Sequence, residues 1–392
     1  MLRTLATHLE RLFVEYRALQ ACIAHDDCPR LDLSLMTIAR WSKTFQRNPH
    51  AVAVEQAVEV WARSHGIWLE DYSDHTNTMG AYLHPETTDS RRLAAIDKTY
   101  LILFYIDDTI SNELQKELAP AAKLRGKRMM EELFALICGW ANPLPTAPSA
   151  FGVVNATRDL LDDLREQGDP DWIRCFMVAL KEHLKDAVTD QNSSVRGKHL
   201  TISEFIDLRN DISGMFVTTW YMEFATGLYL RREALPASVR AQCERLEYLC
   251  AFIGGIANEF FSFEKEVIDH AEEFNLIPVM MEQREISFED AIVASLSYMN
   301  DACHEFQRVC TMLQAILPKL SPEIRPAVES YIRQAYSVAL ASWFWELDTN
   351  RYQRPNSIFV QTDQGWRERR GYTKRLRSGQ PLPEEYGATN PT

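Results

Sequence analysis

The sequence lacks the features of membrane proteins, disulfide-rich secreted proteins and nucleic-acid-binding proteins. No apolar run reaches the roughly 18 residues of a membrane span, and the N-terminal stretch carries charge every few residues, unlike a signal peptide. The eight cysteines include no CxxC pair, which disfavours a zinc site and a disulfide framework. The net charge of -13 disfavours nucleic acid as a partner. We therefore expect a cytoplasmic protein with reduced thiols and no stable membrane insertion.

Glycine and proline are also sparse, at 15 and 17 of 392 residues. Long stretches such as "RGKRMMEELFALICGWAN" repeat apolar residues at three and four spacing, which predicts helices. The breaks between them are short, and no stretch before residue 355 is long enough to separate two domains. The sequence therefore predicts one all-α domain over residues 1–355. The remainder, 356–392, loses this periodicity and is predicted to be a flexible tail.

Three segments, around 95–111, 205–230 and 248–268, are apolar on nearly every side. A helix with no polar face must be surrounded by other helices, so these segments are predicted to be central in the bundle.

One of the central segments carries three oxygen-bearing side chains in a row. Asn258, Ser262 and Glu266 are four residues apart, so a regular helix would place them along a single stripe. Amide, hydroxyl and carboxylate oxygens are ligands that magnesium takes, commonly together with substrate phosphates. The alternative is that Asn258 and Ser262 bond locally while Glu266 lies in solvent at a helix end.

A second acidic site follows another apolar run, in "YLILFYIDDTISNE". Two adjacent carboxylates, Asp107 and Asp108, are costly at the end of a buried helix unless they are paired or bind metal. The alternative is a helix end that emerges into solvent. Two separate central helices that both end in oxygen ligands favour a metal cluster between them.

Arginines complete the set of candidate residues. Arg209 precedes Gly214 in "LRNDISG", where we expect the helix to break and to expose backbone carbonyls. Arg351 and Tyr352 follow the aromatic segment "SWFWELDTN". Guanidinium and phenol groups suit diphosphate oxygens, although a single arginine is more often a surface ion-pair partner.

With these motifs assembled, residues 60–355 resemble the class I terpene synthases (terpene cyclases) of microbial type. "NEFFSFEKE" is similar to the family's NSE motif, at Asn258, Ser262, Lys265 and Glu266, and "DDTISNE" is similar to its aspartate-rich motif. "RNDISG" looks like the segment with the diphosphate sensor, and "RY" at 351–352 like the C-terminal pair. The aspartate-rich motif departs from the family pattern, because no acid stands at the usual third position. Asn112 or Glu113 would substitute, or the motif would rest on Asp107 alone.

The resemblance implies an α-helical bundle with a central apolar cavity and a magnesium-dependent reaction. Three Mg²⁺ ions, replaceable by Mn²⁺, would bind Asp107, Asn258, Ser262 and Glu266 and hold the diphosphate of a linear isoprenyl substrate. Arg209, Lys265, Arg351 and Tyr352 would bind the diphosphate, and Asp108 would orient Arg351. The effector carbonyl would lie near Ile212, Ser213 or Gly214. Carbocations would be shielded by aromatic side chains, for which the candidates are Trp68, Phe104, Phe216, Trp220, Phe252, Phe261, Trp343 and Trp345.

The resemblance leaves the product, the substrate length and the oligomeric state open, a homodimer included. Phe104 and Tyr105 precede the aspartates, where they would shorten the cavity and favour farnesyl diphosphate over geranylgeranyl diphosphate. A chain-elongating prenyltransferase is the nearest rival, but it bears two aspartate-rich motifs. A ferritin-like di-iron bundle is excluded, because no histidine has a glutamate three residues before it. An inactive helical scaffold, including a degenerate cyclase, is the non-enzymatic alternative.

Overall fold

The computed structural model describes residues 2–70, 78–110, 119–144, 146–187 and 199–382. Asn112 and Glu113, the candidates for the third acid, lie outside the described residues. Fifteen α-helices run through the described part. In chain order they are α1 Leu2–Ala24, α2 Ala51–Ser64, α3 Met79–Leu83, α4 Ser90–Ile110, α5 Pro120–Cys138, α6 Gly152–Gln167, α7 Pro170–Ala187, α8 Ile202–Ile212, α9 Met215–Thr226, α10 Ala237–Phe261, α11 Leu276–Arg284, α12 Phe288–Ile316, α13 Arg325–Asp348, α14 Gln364–Arg370 and α15 Tyr372–Ser378.

The all-α prediction is confirmed. Over the described ranges the extended pairing amounts to two isolated bridges, Leu31 with Phe359 and Arg354 with Asp363. None of the described helices combines the length and the apolarity that crossing a bilayer requires. All eight cysteines are free thiols, as their spacing predicts.

Helix α10 is the centre of the bundle. It packs against α8, α9, α12 and α13, and it buries residues on every side from Leu246 to Phe261. Helix α4 packs against α2, α3, α6 and α9. The apolar character of these two helices therefore reflects burial on all sides, as predicted.

The chain breaks between α8 and α9 at the predicted position. Helix α8 begins with a capping box in which Thr201 accepts from the Glu204 amide, and it ends at Ile212. Gly214 then takes a φ of +74°, which glycine adopts without steric cost. Helix α10 approaches this break closely, because a Cβ on Gly254 would lie 2.4 Å from the Met215 side chain.

The NSE segment is not a regular helix throughout. Helix α10 ends at Phe261, and the chain continues as a π-helical turn over Glu264–Asp269. Single π-helical turns occur often at functional sites. The predicted stripe therefore crosses a helix end, and Glu266 is presented by the wider turn.

The tail is folded over residues 356–382, which differs from the prediction of flexibility. Ile358 and Phe359 are fully buried, and the Leu31 amide donates to the Ile358 carbonyl at 2.8 Å. Farther on, Arg377 pairs with the buried Asp348 at 3.3 Å. The apolar residues of this segment are spaced irregularly, so no helical or strand periodicity in the sequence indicates that they are buried. For residues 383–392, which lie outside the described part, flexibility stays a prediction.

Candidate active site

A cavity of about 230 Å³ opens at the C-terminal ends of α4 and α10. One water needs roughly 10–15 Å³, so the space is sized for a larger ligand. It is lined by residues from α3, α4, α7, α8, α9, α10 and α13 and from the segments that follow α10 and α13. Of the predicted metal and diphosphate ligands, those that line it are Asp107, Arg209, Asn258, Glu266, Arg351 and Tyr352.

Asn258 stands at the centre of a hydrogen-bond network on one wall. Its Oδ1 accepts from Arg209 Nη2 at 2.7 Å. Its Nδ2 donates to Glu346 Oε1 at 2.8 Å and to Tyr352 Oη at 3.0 Å. The amide is therefore held in one orientation, with its oxygen toward the arginine.

Ser262 and Glu266 meet across the end of α10. Ser262 Oγ donates to Glu266 Oε2 at 2.8 Å, and the Ser262 side chain is fully buried. Burial raises the pKa of the Glu266 carboxyl, against the lowering effect of the Arg209 and Lys265 charges. Lys265 is half-buried beside Glu266, and the cavity lining does not include it.

Arg209 links this wall to α11. Its Nε forms an ion pair with the buried Glu259 Oε1, while Glu259 Oε2 accepts from the Leu276 amide at 2.8 Å, at the first residue of α11. Burial acts to lower the pKa of Arg209, but the Glu259 and Glu266 charges raise it above its ordinary value. The guanidinium therefore stays charged.

The opposite wall carries the two aspartates at the end of α4. Arg351 Nη2 contacts Asp107 Oδ2 at 2.8 Å, and its Nη1 contacts Asp108 Oδ1 at 2.8 Å. The side chains are unequally covered: 47% of Asp107 is exposed against 20% of Asp108 and 9% of Arg351. The guanidinium also lies over the Phe104 ring, 5.3 Å from its centroid. Arg351 thus holds both carboxylates in place.

The helix break forms a further part of the lining. Ile212, Ser213 and Gly214, the predicted effector segment, all line the cavity. His183 of α7 lies beside them, with Nδ1 3.3 Å from the Asp211 carbonyl oxygen.

Only two of the eight candidate aromatics, Phe104 and Trp345, line the cavity, and their rings stack at 5.7 Å. The other six pack elsewhere. The sequence could not distinguish the two groups, because a helix that is apolar on all sides gives no sign of which face meets the cavity. Phe261 packs edge-on against Trp343, Phe252 stacks on Tyr248, and Phe216 is partly buried against the core. The arginines Arg63 and Arg232 cover the rings of Trp68 and Trp220.

Several residues that line the cavity were not predicted from the sequence. Glu346 is the most visible of them, because a charged residue within "SWFWELD" is as unusual as those in the NSE segment. It is buried, its Oε2 has no hydrogen-bond partner, and burial raises the pKa of this carboxyl to about 8. Tyr100, Glu272 and Phe274 also line the cavity and carry no distinctive sequence signal.

The donor set fits a hard divalent cation. Within the described ranges, no three His, Cys, Asp or Glu side chains cluster as metal ligands. The NSE wall supplies one carboxylate together with amide and hydroxyl oxygens. Asn and Ser are not among those four residue types, although magnesium takes their oxygens as ligands. Arginine cations already contact Asn258 Oδ1 and Asp107 Oδ2, so these oxygens attract positive charge. Asp107, Asn258 and Glu266 line the cavity and could hold metal ions, whereas Ser262 does not line it and contacts Glu266.

The known proteins that this chain resembles are terpene synthases. The family model described as "Terpene synthase family 2, C-terminal metal binding" matches residues 98–305, just over half of the chain. The chain is 23% identical to Sesquiterpene synthase 14 of Postia placenta over 86% of its own length and 91% of the relative's. It is 24% identical to (+)-(1(10)E,4E,6S,7R)-germacradien-6-ol synthase of Streptomyces pratensis, over 77% and 82%. The solved structure of a-eudesmol synthase superposes with a TM-score of 0.66 at 17% identity, over 79% of this chain and 97% of that one.

Proposed function

We propose that this chain, which belongs to the class I terpene synthase family, ionises farnesyl diphosphate in a magnesium-dependent reaction and cyclises the resulting cation. One observation carries the proposal. Asp107 on one wall and Asn258 and Glu266 on the other line the same cavity, together with Arg209, Arg351 and Tyr352. Oxygen ligands and guanidinium groups around one apolar space are what a hydrocarbon chain with a diphosphate head requires.

The metal ions would be bound by Asp107, Asn258, Ser262 and Glu266. Family resemblance supports three Mg²⁺, with Mn²⁺ as a substitute. When bound, these ions supply positive charge that stabilises the departing diphosphate. The amide of Asn258 is already oriented by Glu346 and Tyr352, and its oxygen already accepts from the Arg209 cation, which a metal ion would replace.

The chain's own cations would hold the leaving group. Arg209 and Arg351 are each paired with carboxylates in the structure, Arg209 with Glu259 and Arg351 with Asp107 and Asp108. Diphosphate oxygens would compete for the same N–H donors, and Tyr352 Oη would add a further donor. Lys265 would contribute charge from beside Glu266. Asp108, which is less exposed than Asp107, would keep Arg351 oriented during this exchange.

The hydrocarbon would lie against Phe104, Trp345 and the other apolar lining residues. Closely spaced aromatic faces stabilise positive charge and exclude water. Phe104 lies under Arg351, one turn before the aspartates, so it limits the space next to the diphosphate end. This position, and the name of the similar Sesquiterpene synthase 14, support a fifteen-carbon substrate over geranylgeranyl diphosphate.

The test is to incubate the purified chain with Mg²⁺ and, separately, geranyl, farnesyl, geranylgeranyl and geranylfarnesyl diphosphates. Released diphosphate is measured, and extracts are analysed by gas chromatography with mass spectrometry. We expect a cyclic fifteen-carbon product from farnesyl diphosphate, lost in Glu266→Gln and on chelation of the metal. Cyclic products from geranylgeranyl diphosphate alone would overturn the substrate assignment.

Two other outcomes would overturn the reaction itself. Longer linear diphosphates, formed when isopentenyl diphosphate is added, would indicate a chain-elongating prenyltransferase. No diphosphate release from any substrate would indicate a degenerate cyclase or a helical scaffold.

A further inference from the structure

We infer that Tyr100 and His84 together form the base that accepts the proton lost in the last step of cyclisation. This inference rests on the proposed function, because only a cationic product needs such a base. Every ionised hydrocarbon must lose one proton to become neutral, either from carbon or from a water that has attacked the cation. The acceptor has to be in contact with the cavity that holds the cation.

Tyr100 lies at the hydrocarbon end of the cavity. It lines the cavity from α4, seven residues before Asp107, which is roughly 10 Å deeper at 1.5 Å per residue. Thr218 of α9 also lines the cavity, and its side chain is a hydrogen-bonding neighbour of the Tyr100 hydroxyl. The phenol is therefore at the cavity wall, while the remaining contacts of its hydroxyl lie behind that wall.

His84 is the contact behind the wall. Its Nε2 is 3.0 Å from Tyr100 Oη, and its imidazole is fully buried. The two rings lie nearly parallel, with centroids 6.5 Å apart. A buried imidazole that no other part of the proposed reaction uses is thus joined directly to a side chain of the cavity.

Of the two nitrogens of His84, Nε2, which contacts Tyr100, is the one that would accept the proton. Gln334 is the hydrogen-bonding side-chain neighbour of His84, and its Nε2 donates to Glu86 Oε2 at 3.0 Å. Gln334 Oε1 and His84 Nδ1 are both buried, and neither has a hydrogen-bond partner in the described structure. In the proposed pair, the imidazole hydrogen is on Nδ1. Nε2 presents its lone pair to Tyr100, and the phenol donates.

The proton transfer balances without any co-reactant. The proton leaves the carbon next to the cationic centre, and its bonding electrons form the alkene. A lone pair of Tyr100 Oη takes up that proton while the phenol's own proton moves to His84 Nε2. The products are a neutral hydrocarbon, a neutral tyrosine and an imidazolium. If water has attacked the cation, the same pair takes the proton from that water, and an alcohol forms.

Burial suits His84 to this task. It lowers the pKa of the imidazole to about 3, so His84 is neutral and able to accept throughout the neutral pH range. A carbocation is a far stronger acid than an imidazolium, so the transfer stays favourable. The buried imidazolium is unstable, and it returns the proton through Tyr100 once the product leaves and water enters.

The test compares three variants in the reaction with farnesyl diphosphate. Tyr100→Phe removes the hydroxyl, and His84→Gln keeps a hydrogen-bonding side chain but cannot hold the second proton. Tyr221→Phe is the matched control. Its hydroxyl bonds Thr99, and its ring packs edge-on against His84 and Tyr100, but it does not line the cavity. Diphosphate release, the ratio of terpene products and the melting temperature are measured for each variant.

We expect Tyr100→Phe and His84→Gln each to shift the ratio of the main product to all others by fivefold or more. Diphosphate release should fall no more than about fivefold, because ionisation takes place at the other end of the cavity. Tyr221→Phe should keep the wild-type ratio. An unchanged ratio in Tyr100→Phe or in His84→Gln would overturn the inference, as would an equal change in all three variants. Absence of diphosphate release by the wild-type chain would instead overturn the proposed function.

Discussion

The two walls of the cavity differ in how firmly their side chains are held. On the NSE wall, both the oxygen and the nitrogen of the Asn258 amide make hydrogen bonds, and the buried Ser262 hydroxyl donates to Glu266. On the aspartate wall, Asp107 is half exposed, and its contact in the described structure is with Arg351. The side chains of the NSE wall are therefore the more firmly held, although a metal ion would replace an arginine contact on either wall, that of Arg209 at Asn258 and that of Arg351 at Asp107. Substitutions on the two walls should therefore reduce the rate of diphosphate release by different factors.

The largest effect should come from the NSE wall. We expect Glu266→Gln to reduce diphosphate release from farnesyl diphosphate by 10³-fold or more, about 4 kcal/mol in transition-state stabilisation. The partly buried carboxylate is fixed by Ser262, and it is the one acid among Asn258, Ser262 and Glu266. The measurement is the initial rate over a range of Mg²⁺ concentrations. A loss below tenfold would contradict the proposed role of this wall.

A substitution on the aspartate wall should reduce the rate of diphosphate release less. We expect Asp107→Asn to reduce the same rate by roughly 10²-fold, or about 2.7 kcal/mol. The exposed amide keeps an oxygen, and Asp108 remains next to it, so part of the metal binding should survive at higher Mg²⁺. The comparison would fail if Asp107→Asn equalled Glu266→Gln and excess Mg²⁺ did not restore activity.

Arg351, which contacts both aspartates, should have a smaller effect than either wall. Arg351→Lys keeps the charge, but one ammonium cannot reach both aspartates as the guanidinium fork does. We expect a roughly tenfold increase in KM with a smaller decrease in kcat, a free-energy change of about 1.4 kcal/mol. Steady-state kinetics would measure both constants. A decrease in kcat with KM unchanged would show that Arg351 acts in ionisation and not in substrate binding.

The smallest effect on the reaction should come from Glu264, which lies two residues before Glu266 and faces the other way. Glu264 Oε1 accepts from Tyr16 Oη at 2.6 Å and from the Ile358 amide at 3.1 Å, and Ser357 bonds the other oxygen. Glu264→Gln should lower the free energy of unfolding by about 1–3 kcal/mol, since hydrogen bonds to a buried charge are lost.

Thermal and denaturant unfolding would measure that loss, and diphosphate release at low temperature should stay within about threefold of wild type. This variant is therefore the matched control for Glu266→Gln: the same chemical change, two residues away, on the opposite side of the turn. A loss of rate as large as that of Glu266→Gln would mean that the π-helical turn, and not the single carboxylate, governs the site.

Much of this organisation was predictable. Apolar spacing predicted the helices, and the absence of a polar face placed α4 and α10 at the centre. The oxygen-bearing residues stood out because such side chains are costly in apolar helices unless they have partners. Gly214 marked the helix break. Glu346 carried the same signal within an aromatic run and could have been found in the same way.

What the sequence determined by itself is the fold class and part of the set of polar residues at the cavity, since periodicity and misplaced polarity are local properties of the chain. The tertiary structure decided which aromatics face the cavity, how residues 356–382 pack, and that His84 meets Tyr100. These depend on contacts between distant segments: α10 can approach Ser213 and Met215 because Gly254 and Gly255 have no Cβ to prevent it. A helix that is apolar on every side fits several orientations equally well, and only the shapes of its neighbours select one.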